Sequence, residues 1–152
     1  MEGVKEPPAI VAESTIADLL KSVEWLTIFI FDLLSSRQFA TSRVLQRISS
    51  AATVDAKLDY ETRQPFETRN GIVSLFQRIT AIHPDFHSEV QSVTGHVDKD
   101  TEVATAWVVL DCTGTVDGLR REAFCELKWE LQNKVWMCTS YQGNCVVHMV
   151  LP

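Results

Sequence analysis

The segment RREAFCELKWELQNKVWMCTSYQG, from Arg121 to Gly143, constrains the fold more than any other part of this chain. It reads as two β-strands turned back on each other at Gln132-Asn133-Lys134. Side chains alternate across a strand, so Ala123, Cys125, Leu127, Trp129 and Leu131 share one face. Phe124, Glu126, Lys128 and Glu130 make the other. The first face is wholly apolar, and the second sets a carboxylate, Glu126, beside an aromatic ring. Whether Glu126 meets water or an enclosed interior decides if this hairpin can do chemistry.

The chain has 152 residues, enough for one domain with a substantial core. A loose N-terminal arm with Pro7-Pro8 is expected over residues 1–12, and a single domain over residues 13–152. The formal net charge is -6. That argues against sequence-independent nucleic-acid binding, which needs a basic surface. No run of Lys or Arg marks a membrane-surface patch. The most apolar stretch, LTIFIFDLL at Leu26 to Leu34, is too short to span a bilayer and contains Asp32. It follows Glu24 rather than a basic segment, so it does not read as a secretory signal, and a cytoplasmic location is expected. Cys112, Cys125, Cys138 and Cys145 form no close pair, so they read as free, mostly buried thiols, with no metal site and no cofactor expected.

Ile16, Leu19, Leu20, Val23, Leu26, Ile30, Leu33 and Leu34 recur at spacings of three and four, predicting a helix from Ser14 to Ser35. Ser14 or Thr15 can cap its start. The apolar residues off that stripe, Trp25, Ile28, Phe29 and Phe31, indicate enclosure on more than one side. A second, weaker helix is expected over Gln38–Ser50 and a short strand over Thr53–Tyr60. A third helix runs from Arg69 to Ala81 and ends before Pro84. Strands follow over Phe86–Val97 and Glu102–Thr113, with a loop at Gly114–Gly118, and the hairpin completes an antiparallel meander. Helix, helix, strand, helix and four strands make an α+β layout with helices on one sheet face.

This order, with HPDFHSEV opening the first long strand and an LKW…VW hairpin near the end, resembles the NTF2-like superfamily, and within it the SnoaL-like and scytalone dehydratase-like branch. The resemblance runs from about Thr15 to Gly143. It implies an α+β cone, a strongly curved antiparallel sheet wrapped around N-terminal helices, with a pocket at the wide end. Many members are fungal secondary-metabolism enzymes that work without cofactors as dehydratases, cyclases or isomerases; others bind without catalysis. Tyr60, in LDY, takes the place of a pocket tyrosine, and His87, in FHSEV, that of a first catalytic histidine. The second catalytic histidine would fall near Trp107, where this chain has none. A Ser-x-Asn pair would fall at Phe124-Cys125-Glu126, and a helix-one Tyr-Asp pair at Phe31-Asp32 after a two-residue slip. These departures put scytalone dehydration itself in doubt.

The hairpin pattern alone favours a solvated Glu126 and a core of Leu127 and Trp129. The resemblance reverses this, because a partner subunit often covers the outer sheet face of related domains and would give Leu127 and Trp129 a second place to be buried. An enclosed Glu126 would have a raised pKa suited to proton transfer. Asp32 is a lone charge in an apolar helix, either buried with a task or exposed at the helix end. His87 shares its strand face with Glu89 and Gln91, as a proton shuttle or an exposed strand-end residue. Asp111 is a second acid at the pocket mouth, or an edge residue. Trp107, Tyr60, Phe124 and Phe76 would shape the pocket, and Arg37 or Arg121 could supply a cation to an oxyanion.

The expected activity is a cofactor-free isomerisation, cyclisation, dehydration or skeletal rearrangement of a small, largely apolar natural product by a homodimer. Glu126 would be the principal acid or base, with Asp32, His87 or Asp111 as second proton carrier. The alternative is a non-catalytic ligand-binding or dimerisation module. A deep cavity with two convergent polar groups would favour the enzyme, whereas a closed, side-chain-filled cone would sink catalysis.

Overall fold

The computed structural model describes residues 6–7, 9–11, 13–37, 45–56, 64–66, 69–114 and 120–150. Two helices, α1 (Ile16–Ser35) and α2 (Arg69–Ile82), accompany a six-stranded sheet. Its strands are β1 (Ile48–Ala56), β2 (Gln64–Phe66), β3 (His87–Asp98), β4 (Val103–Thr113), β5 (Arg120–Gln132) and β6 (Val135–Val150). They lie in the order β2-β1-β6-β5-β4-β3. The last four form the expected antiparallel meander, whereas β1 runs parallel to β6.

Helix α1 starts where the sequence can satisfy its free N–H groups. Thr15 accepts from the Asp18 N–H while Asp18 accepts from the Thr15 N–H, a reciprocal capping box. Its buried face, including Val23, Leu26, Ile30 and Leu34, lies mainly against β3. The approach is close: a Cβ added at Gly95 of β3 would stand 2.6 Å from Leu20 Cδ1. Helix α2 lies against β1, with Ile72, Leu75 and Phe76 buried.

The core forms between these helices and one face of the sheet. Cys125, Leu127 and Trp129 of the hairpin are 4%, 1% and 0% exposed without any second subunit over them. They join Phe31, Ile30 and Leu34 of α1 in one hydrophobic cluster. The solvated-face pattern of the hairpin is therefore the one realised, and the inward turn of Glu126 is corrected. Four register shifts bend the sheet, at Ile48/Thr53, Val90/Ser92, Arg120/Glu122 and Lys128/Trp129.

Two other expectations change. The segment 45–56 holds a 3-10 turn at Leu45–Arg47 followed by β1, not the end of a second helix. Ile48, Thr53 and Val54 are β-branched and better suited to a strand. The three-residue strand β2 stands where no element was expected. Residues 38–44 and 57–60, where the rest of that helix and strand were expected, lie outside the described residues.

Candidate functional site

Strand register sorts the candidate residues into two groups. Trp107 pairs with Glu126, Val109 with Phe124, and Asp111 with Glu122. These positions lie on the sheet face turned away from the helices, opposite Val108, Leu110, Cys125 and Leu127. His87 lies on that face of β3 and is exposed. Trp107 and Phe124 are 45% and 42% exposed. Glu126, His87, Asp111, Trp107 and Phe124 thus share one sheet face, but it is the outer one and not a pocket wall.

The local bonds of this group are structural. Asp111 makes a bidentate ion pair with Arg120 and accepts from Gln91 Nε2 at 3.4 Å. Asp111 holds the Arg120 guanidinium above its ordinary pKa through that hydrogen bond and its charge. His87 Nδ1 lies 3.4 Å from Ser35 Oγ. That hydroxyl already donates to the Ser88 carbonyl at 2.8 Å and accepts from the Ser88 N–H at 3.1 Å, locking the end of α1 onto β3.

Asp32 is exposed on α1, so the helix-end alternative describes it. Arg37 is also exposed, and its Nη2 donates to the carbonyls of Pro84 at 2.6 Å and Phe86 at 3.2 Å. It ties the end of α1 to the loop before β3 instead of pointing a cation at a substrate. Phe76 is buried and meets Phe31 and Phe86 edge to face. Tyr60 lies outside the described residues.

The inner face carries a different set of polar groups. Ser88, Cys112 and Arg121 are register partners across β3, β4 and β5, and they are 5%, 6% and 3% exposed. Arg121 occupies the phase of Ala123, Cys125 and Leu127, so a guanidinium stands inside the sheet's concave face. About 13 Å further along β5, Cys125 Sγ meets the Tyr141 hydroxyl at 3.3 Å. The Tyr141 ring faces Phe31, with centroids 6.2 Å apart.

Tyr141 is inward only because of the irregularity near Thr139. Counted from the turn, Trp129 pairs with Cys138, and then Lys128 pairs with Ser140 and Leu127 with Tyr141. Without the extra residue Tyr141 would stand opposite Glu126, on the outer face. Strict alternation could not have found it. Arg121 was legible as a strand-start cation, but its burial was not.

Between Ile30, Phe31, Leu127, Cys138 and Tyr141 the interior is closed by side chains and leaves no room for a water molecule. Burial pushes the Cys138 thiol up to about 12, which keeps it protonated and unreactive. Cys112, Cys125 and Cys138 are all free and buried. Among the described residues no helix is long and apolar enough to cross a membrane.

No protein-family model and no curated protein matches the sequence. Solved structures do match the architecture. An NTF2-like protein of unknown function from Pseudomonas putida is similar at TM-score 0.70 and 9% identity, over 90% of this chain and 93% of that one. A candidate dehydratase of the NTF2-like family from Streptomyces avermitilis is similar at TM-score 0.65 and 11% identity, over 88% and 100%. A candidate calcium/calmodulin-dependent protein kinase II association domain from Xanthomonas campestris is similar at TM-score 0.62 and 11% identity, over 95% and 96%. At such identities the likeness establishes architecture and not activity. With two helices on the concave side of a bulged, curved sheet, the chain has the NTF2-like α+β cone fold.

Proposed function

We propose that the chain is a cofactor-free isomerase, cyclase or dehydratase of secondary metabolism, acting in the cytoplasm on a small, largely apolar natural product. The observation that carries this reading is the buried Arg121, a cation on the helix-facing side of the sheet in register with Cys112 and Ser88. A cation in such surroundings stabilises an enolate or alkoxide far better than it would in water. A substrate would meet Arg121 at its own end of that face, away from the side-chain-filled interior around Phe31 and Tyr141. The candidate dehydratase with this fold supports the same class of chemistry.

The reading is tested by proton exchange. The protein is incubated in D2O with a panel of small cyclic ketones, and loss of the α-proton signal is followed by NMR. Wild-type protein is expected to exceed the buffer rate with at least one ketone. Arg121→Gln is expected to lower that rate about 100-fold, the usual size for a lost oxyanion donor. Tyr141→Phe removes only a hydroxyl of the closed interior and is expected to leave the rate unchanged. No exchange above buffer, or undiminished exchange in Arg121→Gln, would sink catalysis by this group.

A second reading, a non-catalytic binding or dimerisation module, draws on two other observations. The cone is filled around Tyr141, and the outer face presents Trp107 and Phe124 as diagonal neighbours on adjacent strands. Exposed aromatic side chains gathered on one face are a common mark of an interface. A homodimer formed through this face is compatible with either reading of the interior.

A further inference from the structure

The end of the cone nearest the β5–β6 turn carries a cleft of about 390 Å3, none of whose lining residues belong to the closed interior around Tyr141. It lies between the first half of α1, Arg47 at the end of the 3-10 turn, the hairpin turn, and the arm segment from Glu6 to Ile10. That volume falls in the range of small-molecule sites. Trp25 and Trp136 supply aromatic wall, and Trp25 is fixed by stacking on Phe29 with centroids 4.8 Å apart.

Three donors converge on this space. Ser22 is 6% exposed, lines the cleft, and makes no hydrogen bond to any described residue. Its hydroxyl opens onto the cleft and is available to donate there. Arg47 is half-buried and forms no ion pair among the described residues. Lys134 reaches the same cleft from the hairpin turn and also lines a neighbouring one of about 260 Å3 on the other side of Ile10. Its φ is 62°, in the left-handed region where this kind of turn prefers glycine. A long cation is thus held at a position that local conformation would give to Gly. Glu6, on the arm, is the single acidic side chain of the lining against those two cations.

We propose that this cleft binds a small organic anion with a flat apolar body, an aryl carboxylate. Arg47 and Lys134 take the carboxylate, for which the guanidinium fork is well shaped, the Ser22 hydroxyl donates to it, and the ring lies against Trp25. The site is independent of the chemistry assigned to Arg121, and each can fail without the other.

The test uses the full chain, with 1-naphthoate and its uncharged amide as probes, read by titration calorimetry and by the Trp25 indole N–H resonance, assigned through Trp25→Phe. Naphthoate is expected to bind and to shift that resonance. The amide is expected to bind about tenfold more weakly, or less, for want of the charge-assisted bonds. The double variant Arg47→Gln, Lys134→Gln is expected to lose about tenfold or more for naphthoate. Lys134→Gly removes the ammonium while easing the turn, so weaker binding there is not explained by loss of fold. The proposal is overturned if naphthoate fails to bind at millimolar concentration or if the amide binds equally well. It is overturned too if the double variant binds unchanged or the Trp25 resonance does not move.

Discussion

Leu127 lines the closed interior with Phe31 and Tyr141, while Glu126, one residue earlier, stands beside Trp107 on the open face. The two side chains test which face of the sheet is buried. Leu127→Ala leaves a cavity that the bulky neighbours close only in part, and should cost about 3 kcal/mol in urea unfolding. Glu126→Ala should change stability by no more than about 0.5 kcal/mol. The opposite ranking would mean that the sheet is inside out relative to this structure. This assignment was legible in the alternation of CELKWEL, read without reference to other proteins. The resemblance misplaces it by giving Leu127 and Trp129 a partner subunit to be buried against, whereas both already lie in the chain's own core. Tyr141 was illegible for the contrary reason, since one extra residue in β6 reverses its side and leaves no mark in the pattern.

At the scale of elements, long periodic segments were the readable ones. Helix α1 begins at Ile16 and ends at Ser35 as its stripe and capping residues foretell, and α2 runs from Arg69 to Ile82. The first strand of the sheet was expected from Thr53, but its start at Ile48 was misread because Val44, Leu45 and Ile48 mimic a helical spacing just ahead of a β-branched run. β2 went unseen because it has three residues, one of them Pro65, which only an edge strand tolerates. The hairpin turn was placed correctly, and its geometry yields a prediction. Asn133 and Lys134 both have positive φ, 51° and 62°, a turn for which Asn-Gly is the favoured pair. Relieving the side chain of Lys134 gains about 1 kcal/mol, and the added freedom of glycine in the unfolded chain returns part of it. Lys134→Gly should therefore raise stability by about 0.5 kcal/mol, measured as a higher urea midpoint at unchanged slope.

For the molecule as a whole, the charged and aromatic residues of the meander are gathered on one open sheet face. Trp107 and Phe124 at 45% and 42% exposure are expensive to leave in water unless something covers them. If the cover is a second copy, the wild-type chain sediments as a dimer and Trp107→Lys as a monomer of unchanged helix and strand content. A wild-type chain that is monomeric at micromolar concentration would remove this role from the face. The sheet order has a separate consequence, for how the chain is made. β1 takes its place beside β6, joining Val54 to Tyr141 and Thr53 to Ser140 across most of the sequence. During synthesis β1 must wait until the whole meander has emerged and paired, and α1 waits nearly as long for β3. The apolar helix α1 is thus made well before the strand that shelters it, a natural client for chaperones in the interval.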